Sequence, residues 1–187
     1  SLYDWRNIRP NGAPFRENAM ARKGRTSGVV PTNLDPSVPP RLADMLVQLM
    51  RKSGETDFDY DEESIEQISR WINHARKNPD DPETRQMAQL AAAFVGDCLC
   101  RMQGGRWTSK DGEVAVHLPN GILCHPFVKA QKQLANGDSD SLIGFYRSTC
   151  VLGGLTVEEL QKFAAGELDL SQRLEEAGVS VSVSPSH

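Results

Sequence analysis

The chain has 187 residues, 39 % hydrophobic and 25 % charged, with a formal net charge of −4. That is enough for one domain around a single core, and no apolar run approaches the ~20 residues that span a bilayer. The charge is uneven: residues 1–40 carry six basic against three acidic side chains, which leaves −7 on the remainder, the reverse of the basic folded face expected of a nucleic-acid binder.

Residues 1–40 hold six of the eleven prolines and little periodicity, so an extended or disordered N-terminal arm is predicted there. It carries Tyr3, Trp5, Ile8 and Phe15. The first twenty residues lack an apolar h-region, and four cysteines in a chain this long do not make a disulfide scaffold. A cytoplasmic, reduced protein is therefore expected. Pro39-Pro40 marks the predicted edge of a single domain over residues 41–178, and the Ser-rich run 179–187 is predicted to be a flexible tail.

Within the domain, Leu42, Met45, Leu46, Leu49 and Met50 follow the spacing of a short amphipathic helix. Residues 55–63 then gather six acids around Phe58 and Tyr60. Asp61 alone, or Asp59 with Glu62, can cap the next helix, whose apolar face is Ile65, Ile68, Trp71, Ile72 and Ala75 and whose end is expected near Asn78-Pro79. Asp81-Pro82 is a strong helix start. From there Met87, Leu90, Ala91, Phe94, Val95, Cys98, Leu99 and Met102 mark what should be the central, most buried helix. It stops at Gly104-Gly105.

Three short β segments follow, with Asp111-Gly112 and Asn120-Gly121 as hairpin turns. Val114, Val116 and Leu118 alternate with Ala115 and His117, the period of a strand with one buried face. Pro126 starts a helix with Phe127, Val128, Gln131 and Leu134 in register, ending at Asn136-Gly137, and Ser139 or Asp140 starts another. After Gly153-Gly154, Thr156 and Glu159 form a capping box before a helix carrying Val157, Leu160 and Phe163. A last short helix is expected around residues 170–177. The fold class is α+β, mainly helical with one small antiparallel sheet of about three strands.

The acidic segment supplies the candidate site. Asp57, Phe58, Asp59, Tyr60 and Asp61 are read as a partner-binding face, the acids steering a basic protein and the aromatics anchoring it. Asp97 and Trp107 are read as structural. Asp97 pairs with Arg101 at i+4 or tethers the Trp107 indole, and Trp107 should be largely buried beside the central helix. No cofactor or metal is expected. Cys98 and Cys100, two apart on a helix, diverge by about 200°, and the strand neighbours Cys124 and His125 face opposite sides. The function expected is a non-catalytic protein-binding module. Two alternatives of other classes are an enzyme or metal-dependent module using Asp97, His117, Cys124 and His125, and a nucleic-acid accessory using the basic arm.

The run F-V-G-D-C-L-C-R-M-Q-G-G-R-W, followed by H-P-F-V-K-A-Q-K-Q-L-A-N-G and D-S-L-I-G-F-Y, resembles a widespread group of uncharacterised bacterial domains. Their pattern is a helix ending LGxYLGE, then GGxW, a small strand unit, PFxKVxxRLxxG and SLxxFY. The acidic Y-D-E-E-S-I-E-Q-I before the central helix fits as well, so the resemblance covers roughly residues 58–147. This chain departs from it in carrying Asp97 where Glu is usual and cysteines where aliphatics are usual. The resemblance implies a small protein without a catalytic constellation. Some of the group are similar to immunity proteins, so it also implies a toxin, here with a basic surface, as the partner.

Overall fold

A computed structural model describes residues 33–180. Most of the predicted arm (1–32) and of the predicted tail (181–187) lie outside the described residues. The architecture is the expected one, mainly helical with one three-stranded antiparallel sheet. Helix α1 spans Val38–Lys52, α2 Glu62–Ala75, α3 Pro82–Gln103, α4 Pro126–Asn136, α5 Leu142–Gly153, α6 Val157–Ala164 and α7 Ser171–Glu176. Strands β1 (Arg106–Lys110), β2 (Glu113–His117) and β3 (Leu123–Cys124) lie between α3 and α4.

The first helix starts earlier than Pro39-Pro40 suggested. Both prolines sit in its first turn, where their missing N–H groups leave no bond unmade. The chain before it is also attached: the Asn33 N–H donates to the Gly112 carbonyl at 2.7 Å, and Leu34 packs on the core. Residues 33–40 therefore belong to the domain.

Helix α3 is the axis of the molecule. The Asp81 carboxylate accepts from the Thr84 N–H at 2.9 Å, and Gly104 ends the helix in the left-handed region at φ 66°. Every residue from Leu90 to Leu99 is buried, because α1, α2, α4, α5 and the first two strands all pack against it. A helix covered all round carries apolar and small residues on every face, and the alanine run 91–93 lets its neighbours come close.

The first hairpin turns on Asp111 (φ 54°) and Gly112 (φ 81°), the two left-handed residues of a type I′ turn. The second is not a two-residue turn. Gly121 alone has positive φ (92°), the Gly121 N–H donates to the Leu118 carbonyl at 3.0 Å, and the Leu118 N–H donates to the Ile122 carbonyl at 2.8 Å. Pro119 occupies the first corner, so the loop is a β-turn closed by a left-handed glycine. Strand β2 also differs from expectation, since Ala115 is buried together with Val114 and Val116.

On α4 the buried stripe is Phe127, Ala130, Gln133 and Leu134, with Gln131 outside it. Gln133 is fully buried. Its amide N–H₂ is shared among the Ser69 carbonyl (2.9 Å), Ser69 Oγ (3.0 Å) and Asn73 Oδ1 (3.0 Å), and its Oε1 accepts from the Leu142 N–H at 2.8 Å. One side chain thus joins α2, α4 and α5. A 3₁₀ turn over Gly137–Asp140 separates α4 from α5, so the cap of α5 is Ser141, whose hydroxyl accepts from the Gly144 N–H at 3.1 Å. Helix α2 stops at Ala75, before the Asn78-Pro79 stop read from sequence.

Candidate functional site

The segment between α1 and α2 presents the acidic residues, and its geometry follows from one aromatic. Phe58 is 2 % exposed and its ring lies 5.0 Å from that of Phe94 on α3. It is therefore not a contact residue for a partner, which corrects the sequence reading. A loop rich in carboxylates has little else to bury, so its one fully apolar ring goes inward and fixes the chain on either side. Arg51 completes the fixing: its Nε donates to the Phe58 carbonyl at 2.9 Å, and its guanidinium lies 3.3 Å from Asp59.

The acids divide into two kinds. Asp59 and Asp61 have structural contacts. The Tyr60 N–H donates to Asp59 Oδ1 at 2.8 Å, the Asp59 N–H donates to Ser64 Oγ at 3.0 Å, and Asp61 Oδ1 caps α2 by accepting from the Ser64 N–H at 2.8 Å. Among the described residues Asp57 touches only the Thr56 hydroxyl, at 3.4 Å. Asp57, Asp59 and Asp61 are all exposed.

Tyr60 is partly buried, with its ring 5.4 Å from Phe94. Its hydroxyl donates to Asp44 Oδ1 on α1 at 2.5 Å, and the Arg101 guanidinium lies 3.5 Å over its ring, a cation–π contact. Burial, and then the bond to Asp44, push the Tyr60 hydroxyl well above its ordinary pKa. Arg101 also donates from Nε to Asp97 Oδ2 at 2.9 Å and lies 3.8 Å from Asp44. The Asp97–Arg101 pair read from sequence is present, but it is not exposed on both sides. The Asp97 side chain is only 8 % exposed and that of Arg101 is 50 % exposed. Asp44, Arg51 and Arg101 thus join a face that local sequence assigned to residues 57–61 alone. Only the tertiary approach of α1 and α3 brings them there.

Trp107 is partly buried, less than expected. Its indole fills the space that a side chain at Gly96 would take, and the Phe127 ring lies 6.0 Å away. Among the described residues strand β1 is an edge strand. The indole N–H has no partner among the described residues, so the tether from Asp97 to Trp107 is not made.

Among the described residues no three His, Cys, Asp or Glu side chains converge as metal ligands, Asp97, His117, Cys124 and His125 included. His125 Nδ1 lies 3.5 Å from Glu113 Oε2 without a hydrogen bond. Burial raises the thiol of Cys100 to about 12 and that of Cys124 to about 11, and raises Cys98 and Cys150 as well. Such thiols stay protonated at neutral pH, whereas the thiolate is the nucleophile and the ligand.

Comparison of the chain with protein-family models, with curated proteins and with solved structures finds no match.

Proposed function

We propose that this protein is a non-catalytic protein-binding module whose contact face is the acidic surface around Asp57, Asp59, Tyr60 and Asp61. The observation that supports the reading is Phe58. Its burial, with Arg51 on its carbonyl, makes a carboxylate-rich segment rigid while its charges stay in water. A pre-fixed surface in which carboxylates outnumber Arg51 and Arg101 loses little conformational freedom on binding and steers a basic partner. Tyr60, held by Asp44, Phe94 and Arg101, supplies the aromatic that the face needs near its centre. The partner class proposed is a basic toxin, neutralised by masking, which makes the protein an immunity protein.

The test separates steering from anchoring and from folding. Asp57→Lys should slow association with the basic partner and flatten its salt dependence, with thermal stability unchanged. Tyr60→Ala should mainly speed dissociation. Phe58→Ala should instead lower stability, by about 3–5 kcal/mol in urea unfolding, as for other buried aromatics. A partner that binds Asp57→Lys and Tyr60→Ala as it binds the parent would assign its contact to another surface.

A further inference from the structure

Two arginines lie among the carboxylates of the contact face, and they are engaged differently. Arg51 is taken up by its own loop: Nε donates to the Phe58 carbonyl at 2.9 Å, and Nη2 lies 3.3 Å from Asp59 Oδ1. Arg101 donates a single hydrogen bond among the described residues, from Nε to Asp97 Oδ2 at 2.9 Å. Its Nη2 is 3.8 Å from Asp44 Oδ1, too far for a hydrogen bond, and that oxygen already accepts from the Tyr60 hydroxyl. Half of the Arg101 side chain stays in water, so the donors on its two terminal nitrogens are open to a ligand.

The guanidinium is also held in place. Its Cζ sits 3.5 Å from the centroid of the Tyr60 ring, and that ring stacks on Phe94 of α3. Asp97 is buried and has no other cation beside it among the described residues. Arg101 cannot swing aside without leaving that carboxylate uncompensated, a change far costlier than an exposed ion pair is worth. A basic partner that closes over Tyr60 therefore meets a fixed positive charge. Against a lysine or arginine this charge opposes association. Against a carboxylate it forms the paired, charge-assisted bonds that guanidinium geometry favours.

We propose that Arg101 sets the specificity of this face, selecting a protein whose basic surface carries one carboxylate, an aspartate or glutamate, where it covers Tyr60. The proposal rests on the acidic face being the contact surface. It adds a condition that net charge does not supply: basic proteins without that carboxylate are steered to the face and not retained.

Two lysine-rich peptides of identical composition test this, each with a single glutamate, central in one and terminal in the other. Their net charge is equal, so long-range steering treats them alike. Affinities are read at low salt from the shifts of the backbone amides of residues 57–61. The peptide with the central glutamate should bind the parent about tenfold tighter. In Arg101→Lys, which keeps a cation beside Asp97 without the planar fork, the preference should fall to about threefold. In Asp97→Asn/Arg101→Gln it should vanish. Asp57→Lys, by contrast, should weaken both peptides alike and leave the preference intact. Equal affinity of the two peptides for the parent overturns the proposal and leaves the acidic face standing. A preference that survives in Asp97→Asn/Arg101→Gln also overturns it, because another residue then reads the carboxylate. Binding of neither peptide, or binding that Asp57→Lys does not weaken, overturns the acidic face itself and this proposal with it.

Discussion

Gly96 and Trp107 form a matched pair, a missing side chain and the ring that occupies its place. A Cβ at Gly96 would collide with the benzo edge of the indole, on a helix that cannot shift because every residue around position 96 is buried. Gly96→Ala should therefore cost about 2–3 kcal/mol in urea unfolding, although alanine is the better helix former. Trp107→Ala alone should cost about 3 kcal/mol. In the double variant the alanine methyl has room, so the combined loss should be smaller than the sum by 1 kcal/mol or more, a coupling that a double-mutant cycle measures directly. A glycine in the middle of a helix read as central and buried marks, from sequence alone, a point of close approach. Which residue approaches it is not marked there, because that depends on the turn at Gly104-Gly105 and on the register of β1.

Elements with local punctuation were legible. Helix α3 carries its own start in Asp81-Pro82 and its own stop in Gly104, and Asp111-Gly112 determines its hairpin whatever surrounds it. The second turn misled because Asn120-Gly121 resembles the first pair while Pro119 claims a corner. The buried stripe of α4 was misjudged for another reason. Gln133 is polar, and its burial depends on acceptors that α2 and a donor that α5 bring from more distant sequence. Asn120 is a similar case. Its Nδ2 donates to the Leu152 carbonyl (2.9 Å), the Leu155 carbonyl (3.0 Å) and the Gly153 carbonyl (3.3 Å), so a hairpin loop caps the end of α5. Asn120→Ala leaves these carbonyls without that donor and should cost about 1–2 kcal/mol. Hydrogen exchange should place the loss in the last turn of α5 and at the start of α6, with α1 and α2 unaffected.

At the scale of the molecule, the buried thiols and tyrosines tie stability to alkaline pH. In the unfolded chain the thiols titrate near their ordinary 9.0, while burial holds Cys124 at about 11 and Cys100 at about 12 in the fold. Tyr60 and Tyr146 shift in the same direction. Above pH ~9 the unfolded chain has released protons that the folded one retains. The stabilisation is thus complete below that pH and is lost as pH rises through 11 and 12. Each thiol contributes at most about 1.4 kcal/mol per pH unit. Denaturant midpoints should fall between pH 9 and 11, and less steeply in Cys124→Ala.

The all-round burial of α3 also sets an order of events on the ribosome. Helices α1 and α2 are made before it, whereas β2, α4 and α5 are made after it and supply much of its cover. From Gln103 to Gly153 about fifty residues must still be added, which takes roughly 3–10 s at ~5–20 residues per second. For that interval the stretch from Leu90 to Leu99 is an apolar helix with one side open. Nascent chains arrested before residue 126 should recruit holding chaperones, and chains released past residue 153 should not. The residues around which the other helices pack are thus the ones that leave the chain most exposed to aggregation while it is being made.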